Sequence, residues 1–534
     1  MPELLHPGVY VQEVPSTVRP IQAVSTSTAA FIGVTTKGPL PGHPNPPTGR
    51  IAQPVLVTSF TDYLRQFGGY RTDSFLTYAV QNFFDNGGIR LYIVRIAGAG
   101  ATASSSAVGG SLQISAVNEG KWGEDIGVVI TDSSDGDTTN KFKLIVIYDG
   151  TAVETYDNIT FSSTDPAYGR TVINSRSEYI TITADITARP TLSAIDPTTK
   201  KPIPTNLAGG GDGAAVVPGD YIGNAAADNT VTGRGLFALD KITDVNLIAI
   251  PGQGDPNVVN AGMEYCFDRQ LQDCFFIADV GTLDINNARR DDATPDVFKI
   301  SDAVSFATTG FGGTPLDKTA GQFGAIYYPW IWSADPIGIG RNPRILLPPS
   351  GFVAGIYARI DNSRGVFKAP AGAEAGVFGA LSPVTYVSDT EQDQLNPVNV
   401  NVIRTVPGSG IVVWGTRTIG SDPAWRYIPV RRMAIFIRVS IYYGIQWAVF
   451  EPNDESLWAS LRLNIGAFML TQFRAGAFQG SKPADAFFVK CDSTTTTQQD
   501  IDNGVVNILV GFAPLKPAEF VVLRLSQIVN QPAV

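Results

Sequence analysis

Histidine is scarce in this chain of 534 residues, which contains only His6 and His43. A Ser-His-Asp or Cys-His arrangement needs an imidazole, so nucleophilic catalysis of that kind could draw only on the start of the chain. A histidine-rich zinc site is excluded from residues 44–534 for the same reason. The 49 Asp and Glu residues leave carboxylate chemistry open, but no pair stands out by spacing or by an apolar setting. We therefore predict no catalytic residue, no metal site and no cofactor.

Cysteine is also rare, since Cys266, Cys274 and Cys491 are the only three and none forms a Cys-x-x-Cys pair. We interpret them as small buried hydrophobes in a reducing compartment. No apolar run reaches about 18 residues, so neither a membrane-spanning helix nor stable membrane insertion is expected. The opening MPELLHPGVYVQEV lacks the basic start and apolar stretch of a signal peptide, which predicts that the protein is made and assembled in a cytoplasm.

Basic residues are fewer than acidic ones, 39 Lys and Arg against 49 Asp and Glu, so the formal net charge is -10. An acidic chain repels a phosphate backbone, so nucleic acid is a poor candidate for a direct partner. Apolar residues make up 44% of the chain and charged residues only 16%, which is a globular balance. With 54 Gly and 36 Pro we expect many turns and a large β content. The length predicts two to four domains.

The first hundred residues have an α/β pattern. Residues 27–35 are typical of a buried strand, and Ser59 is a plausible N-cap for the helix that follows the next strand. Residues 75–88 predict a helix that ends at Asn-Gly-Gly, and residues 89–96 predict a second buried strand. Strand, helix, helix and strand in this order indicate an α/β element.

A β-rich insertion follows between two segments that we interpret as flexible linkers, residues 97–111 and 207–214. Residues 112–205 contain short β runs broken by Asp, Ser, Thr and Gly. The second linker is rich in glycine, but it has neither the G-x-G-x-x-G pattern nor a terminal Gly-Lys-Ser/Thr, so no phosphate loop is indicated. The α/β pattern then resumes over 221–350.

The last third contains the strongest helix, which Asn453 or Asp454 caps and Gly476 ends. Its apolar residues recur at helical spacing and predict a core-facing stripe: Leu457, Leu461, Ile465, Phe468 and Met469. Residues 505–514 and 519–529 read as strands that prolines separate, and residues 8–14 read as a short strand before another proline pair. Isolated strands must pair with something, because unpaired edges are costly or aggregate.

Ten segments spread over the chain outside 97–205 share one family pattern: PGVYVQEVPSTVRPIQAVSTSTAAFIG (7–33), FFDNGGIRLYIVRI (83–96), YYPWI (327–331), PPSGFVAGIYARID (348–361), GVFKAPAG (365–372), LNPVNVNVIRTVPGSGIVVWGTRT (395–418), WRYIPVRRMAIFIRVSI (425–441), QWAVFEPNDESLWASLR (446–462), GSKPADAFFVKCD (480–492) and APLKPAEFVVLRLSQ (513–527). In this order they resemble the contractile tail sheath proteins of phages and of phage-tail-like injection systems. Arg438 stands where the family leads us to expect an acid, and Thr496 where it leads us to expect Asn. The insertion at 112–205 matches no family pattern.

The resemblance implies an α+β multidomain fold. We expect a mixed α/β sheath core built from N- and C-terminal segments, an inserted β-rich domain, an inserted α/β domain, and extended strand arms at both ends. The expected divisions are an N-terminal arm (1–20), an N-terminal sheath-core segment (21–100), the β-rich domain (101–215), the central α/β domain (216–390), a C-terminal sheath-core segment (391–514) and a C-terminal arm (515–534).

The resemblance also implies a structural, non-enzymatic function in a virion tail or a phage-tail-like particle. Such subunits form hexameric rings stacked around an inner tail tube, meet baseplate and tail terminator proteins, and contract to drive the tube through a target envelope. Terminal strands of one subunit join a sheet in its neighbours. The residues expected in these arms are Val9, Tyr10, Val11, Glu13, Val14, Phe520, Val521, Val522, Leu523, Arg524 and Leu525.

Arg431 and Arg432 are expected to face the tube, because they form a basic cluster in an acidic chain. The alternative is that both pair with acids of the same subunit, such as Glu451 or Asp454. Two other classes of protein stay open: a β-rich surface-binding protein of a virion or a secreted protein, and a hydrolase housed in residues 221–350.

Overall fold

The described part of the chain divides into two units. The larger one is Ser25–Arg431, and the described residues before and after it form the smaller one. The computed structural model describes residues 19–42, 52–226, 233–289, 299–339, 341 and 343–522. His6 and His43 lie outside these residues.

The described residues form twenty strands. They are β1 (Ala29–Val34), β2 (Val55–Val57), β3 (Leu91–Ile96), β4 (Ser105–Val108), β5 (Leu112–Ala116), β6 (Ile126–Thr131), β7 (Lys141–Tyr148), β8 (Thr151–Thr160), β9 (Ile180–Ile182), β10 (Thr205–Asn206), β11 (Leu247–Ala249), β12 (Phe275–Asp279), β13 (Gly324–Tyr328), β14 (Ile331–Ala334), β15 (Arg344–Leu347), β16 (Ala380–Pro383), β17 (Val400–Val406), β18 (Gly410–Val413), β19 (Phe487–Lys490) and β20 (Leu509–Phe512).

The same residues contain thirteen α-helices. They are α1 (Phe60–Phe67), α2 (Leu76–Asp85), α3 (Gly169–Arg176), α4 (Pro218–Ile222), α5 (Pro256–Asp268), α6 (Ile285–Ala288), α7 (Ile300–Thr308), α8 (Ser350–Arg364), α9 (Asp389–Leu395), α10 (Ile428–Gly444), α11 (Glu455–Arg474), α12 (Pro483–Ala486) and α13 (Gln498–Asp502).

An eight-stranded sheet is the centre of the larger unit, in the order β18-β17-β13-β12-β11-β1-β3-β2. The six inner strands are parallel, and β2 and β18 close the two edges in antiparallel pairing. Every residue of β11, β12 and β13 is buried. Near-continuous apolar strands of this kind are typical of a parallel sheet that helices cover on both faces.

This sheet differs from the expected division of the chain. Strands from 21–100, from 216–390 and from 391–431 share one sheet, so the expected N-terminal sheath-core segment and the central α/β domain are one body. The expected C-terminal sheath-core segment is divided, because the chain from Arg432 onward belongs to the smaller unit. Parallel neighbours are joined by long crossovers, so closeness in sequence does not tell which strands pair.

Local capping signals set the starts of two helices as predicted. The hydroxyl of Ser59 accepts a hydrogen bond from the amide of Asp62 in α1, and Asp454 accepts one from the amide of Leu457 in α11. The predicted stripe of α11 is buried at all five positions: Leu457, Leu461, Ile465, Phe468 and Met469. The three cysteines are free and buried, as predicted.

Residues 104–207, here called the β-rich region, contain two antiparallel sheets, β10-β6-β7-β8 and β4-β5-β9. A hydrophobic cluster of its own lies between them and includes Trp122, Phe142 and Leu144. Side chains alternate between buried and half-buried along β7, which is the pattern of a strand with one face on a core. The region therefore has a core separate from the eight-stranded sheet.

The two segments expected to be flexible linkers are instead paired with each other. Thr102 and Gly211 exchange two backbone hydrogen bonds of 2.9 and 3.0 Å, and the amide of Ala214 donates to the carbonyl of Ala99 at 3.0 Å. A Cβ atom on Gly98 would lie 1.9 Å from the carbonyl oxygen of Ala214, so this approach requires glycine. We call residues 99–105 and 208–214 the paired stalk.

Candidate assembly interface

The smaller unit carries a two-stranded antiparallel ribbon, β19 and β20, with Phe488 opposite Gly511 and Lys490 opposite Leu509. Within the described residues these two strands pair only with each other. Each therefore has one edge of main-chain donors and acceptors without a neighbouring strand there. Such an edge is a template for a further strand.

Aromatic packing fixes the ribbon to its own unit. The ring of Phe478 lies 6.2 Å from that of Phe487 and 5.6 Å from that of Phe512, measured between ring centroids. The amide of Ala513 donates to the carbonyl of Ala486, which continues the pairing beyond β20. One face of the ribbon is thus anchored.

Two apolar side chains of the ribbon are more than half exposed to solvent. Phe488 is 54% exposed and Leu509 is 53% exposed. Large apolar side chains beside open strand edges favour association with another chain, because burial removes them from water. The sequence predicted a strand over 505–514, and β20 forms within it over four residues, Leu509–Phe512.

The expected C-terminal arm is described only as far as residue 522. Phe520, Val521 and Val522 have no strand pairing among the described residues and are 74%, 87% and 77% exposed. Three consecutive exposed apolar residues after Pro517 form a segment that nothing in the described structure covers. The remaining arm residues lie outside the described residues: Val9, Tyr10, Val11, Glu13, Val14, Leu523, Arg524 and Leu525.

Arg431 and Arg432 do not present their charges at the surface, contrary to the expectation that they face a tube. They are 3% and 4% exposed. The guanidinium of Arg431 lies 3.7 Å from the ring centroid of Trp425 and 4.4 Å from that of Phe323. This sandwich is a cation–π arrangement inside the larger unit. Helix α10 is buried on every side over its first ten residues, so it has no polar face for them.

The carboxyl ends of β1 and β11 define the place where a parallel sheet of this order usually holds a ligand, because the chain turns to opposite sides there. In this protein two aromatic side chains lie there. The buried rings of Phe75 and Trp330 meet edge to face at 5.3 Å, and a Cβ on Gly252 would lie 2.5 Å from the Phe75 ring.

Asp279 lies at the end of β12, beside this place. The pKa of its carboxyl group is raised to about 6, because the group is fully buried. It accepts hydrogen bonds from the amide and hydroxyl of Ser350 and from the amide of Gly252. These bonds tie β12 to the start of α8. Because the serine hydroxyl donates directly to a carboxylate, the pair lacks the imidazole base that a hydrolase triad places between the two groups.

The described residues show neither a metal-binding cluster nor a membrane-spanning helix. They contain no group of three His, Cys, Asp or Glu side chains arranged to hold a metal ion. None of their helices combines the length and apolar character that crossing a bilayer requires.

Residues 226–419 match the family model described as phage tail sheath protein central domain, and residues 420–528 match the phage tail sheath C-terminal domain. Together the two matches span more than half of the chain. The protein therefore belongs to the phage tail sheath family, as its sequence motifs indicate.

Individual relatives agree with this assignment. The chain is 30% identical to the tail sheath protein of Burkholderia phage BcepMu over 191 residues, which are 34% of this chain and 39% of that protein. It is 26% identical to a putative prophage major tail sheath protein of Pseudomonas aeruginosa over 174 residues, 32% of this chain and 44% of the relative. The matched segments thus span less than half of either relative.

A solved structure extends the similarity in fold to nearly the whole chain. The sheath of an extracellular contractile injection system, the PVC sheath complex in its contracted state, aligns with a TM-score of 0.55 over 99% of both chains, at 22% identity. At this identity the likeness establishes the fold.

Proposed function

We propose that this protein is the structural subunit of a contractile sheath, which polymerises around an inner tube and contracts to drive the tube through a target envelope. The observation that carries the proposal is the ribbon of β19 and β20, which combines open edges with exposed Phe488 and Leu509. Family membership supplies the context, and the ribbon supplies a physical means of joining copies.

The joining step is strand addition. A terminal arm from another copy lies along an open edge of the ribbon, where main-chain hydrogen bonds hold it at about 1 kcal/mol net each. Alternate side chains of the arm then set its register. The exposed apolar stretch from Phe520 to Val522 is the described beginning of such an arm, and Pro514 and Pro517 keep it separate from β20.

The assembly proposed is a stack of hexameric rings in a virion tail or a phage-tail-like particle, put together in the cytoplasm of a bacterial host. Its partners are further copies of the chain, the inner tail tube protein, and baseplate and tail terminator proteins. Energy for contraction is stored in the extended lattice at assembly. The chain itself carries no catalytic role in this proposal.

Electron microscopy of the purified protein tests the proposal. The full chain is expected to form rings or hollow tubes, whereas a variant truncated after Pro514 is expected to fold and stay unassembled. A variant truncated after Val529 keeps the expected strand 519–529 and serves as the matched control. Normal tubes from the shorter variant would refute strand addition by the C-terminal arm. Stable monomers of the full chain that bind a ligand saturably would favour the surface-binding alternative instead.

A further inference from the structure

The side chain of Lys37, just after β1 of the eight-stranded sheet, ends inside a cage of three aromatic rings that belong to the β-rich region. The ammonium of Lys37 lies 4.6 Å from the ring centroid of Tyr179, 5.3 Å from that of Tyr148 and 5.7 Å from that of Trp122. The lysine itself is 7% exposed. Three ring faces around one desolvated cation form an arrangement that selects positive charge, because each face is electron-rich.

The two sides of this contact belong to different regions of the fold. Lys37 follows β1 of the eight-stranded sheet, and its amide donates to the carbonyl of Phe67 at the end of α1. The rings come from three separated places in the β-rich region: the turn Lys121–Asp125, the end of β7 and the residue before β9. The cage therefore exists only when the β-rich region is folded and docked.

The loop that carries the lysine is itself held rigidly. A Cβ on Gly38 would lie 2.5 Å from the Phe67 ring, so the chain passes close to that ring. The carbonyl of Gly38 accepts a hydrogen bond of 2.6 Å from the fully buried guanidinium of Arg95, which also donates to the carbonyl of Glu119 at 2.8 Å. Arg95 thus bridges the sheet and the β-rich region directly beside the cage.

We propose that Lys37 is a charge-dependent latch, which docks the β-rich region on the eight-stranded sheet through the cage of Trp122, Tyr148 and Tyr179. The paired stalk joins the two regions covalently, and the latch fixes their orientation. Burial lowers the pKa of Lys37; Glu178 and Glu154 act against that effect, and Arg65 adds to it. The inference does not depend on the proposed sheath function.

Hydrogen exchange measured by mass spectrometry on the full chain tests the latch. In Lys37→Met the side chain fills similar space without charge, so amides of the paired stalk are expected to exchange about tenfold faster, while those of β6 and β7 stay protected. Lys37→Arg keeps the charge and is expected to stay closer to the wild type. Lys121→Met, the same change at an exposed position on the rim, is the matched control and is expected to change nothing.

A second pair of variants alters Tyr179, one of the aromatic rings of the cage. Tyr179→Phe keeps the ring face and is expected to behave as the wild type, whereas Tyr179→Leu removes the face and is expected to loosen the paired stalk as Lys37→Met does. Unchanged exchange in both Lys37→Met and Tyr179→Leu would overturn the latch. Faster exchange spread equally over β6 and β7 would also overturn it, since the lysine would then support the general stability of the region.

Discussion

Arg431 shows how a basic residue is used inside this acidic subunit. Its guanidinium lies between the rings of Phe323 and Trp425 and is almost completely buried. Arginine suits this position, because its planar, weakly hydrated group stacks on aromatic faces. The residue therefore contributes to the packing of the larger unit.

Replacing Arg431 by alanine should lower the free energy of unfolding by about 2–4 kcal/mol, because the substitution leaves a cavity between two rings and removes the stacking. Urea unfolding followed by tryptophan fluorescence measures the change. Arg364→Ala is the matched control: Arg364 forms an exposed ion pair with Glu374, so its loss should cost less than about 1 kcal/mol. Equal effects of the two substitutions would contradict the buried role.

Asp279 should make stability depend on pH. Its pKa rises to about 6 in the folded protein, so between about pH 4 and pH 6 the folded state holds a proton that the unfolded state has lost. The contribution of the carboxyl to stability therefore falls as the pH rises through this window. Relative to Asp279→Asn, the wild type should lose about 2 kcal/mol between pH 4 and pH 7. A difference that does not vary with pH in urea titrations would refute this.

The burial of Arg431 and Arg432 was only partly accessible from the sequence. The segment from Ile428 to Ile437 is apolar on every helical face apart from these two residues, and such a helix is buried. Charge alone favoured a surface position, and the all-round apolar pattern is the signal that outweighs it. The aromatic partner Phe323 is about a hundred positions away in sequence and could not be inferred.

At the scale of single elements, local chemistry made the helices predictable. Ser59 and Asp454 cap α1 and α11 as their sequence context indicates, since a side-chain oxygen satisfies a free amide of the first turn. The paired stalk was not predictable. Gly, Ala and Ser make a chain flexible in isolation, but the same small residues allow two backbones to approach and pair, so composition does not separate the two outcomes.

A charge on the ribbon should block assembly with little effect on folding. Leu509→Asp places a carboxylate on β20 at a position that is 53% exposed, so burial under an added strand becomes costly. Ile195→Asp, in the β-rich region, changes a residue of 56% exposure and should assemble normally. Sedimentation and electron microscopy compare the two. Tubes of normal length from Leu509→Asp would exclude this stretch of the ribbon from the contact.

At the scale of the whole molecule, the pairing of β1 with β11 is the feature that the order of the strands in the sequence does not predict. More than two hundred residues separate Ala29 from Leu247, and yet they are register partners. The β-rich region occupies much of that interval and gives the impression of separate domains on either side. Only the three-dimensional pairing shows that the sheet is continuous across it.

Deleting the β-rich region should leave a folded, assembling subunit. The amide of Ala214 lies 3.0 Å from the carbonyl oxygen of Ala99, so the chain can be rejoined there with little strain. Circular dichroism should show retained helices, and electron microscopy should show tubes. Loss of the helical signal would mean that the sheet needs the region for its own stability.

The open edges of the ribbon have a consequence for how a polymer of this chain ends. Inside a lattice built by strand addition, every acceptor edge of one copy is matched by a donor arm of another, and the two numbers balance. At a terminus the balance fails, because the last layer keeps edges that no further copy fills. Exposed edges of this kind invite unlimited growth or sticking. A polymer of defined length therefore needs a different protein to occupy the edges of β19 and β20 in the last layer, where they stay open.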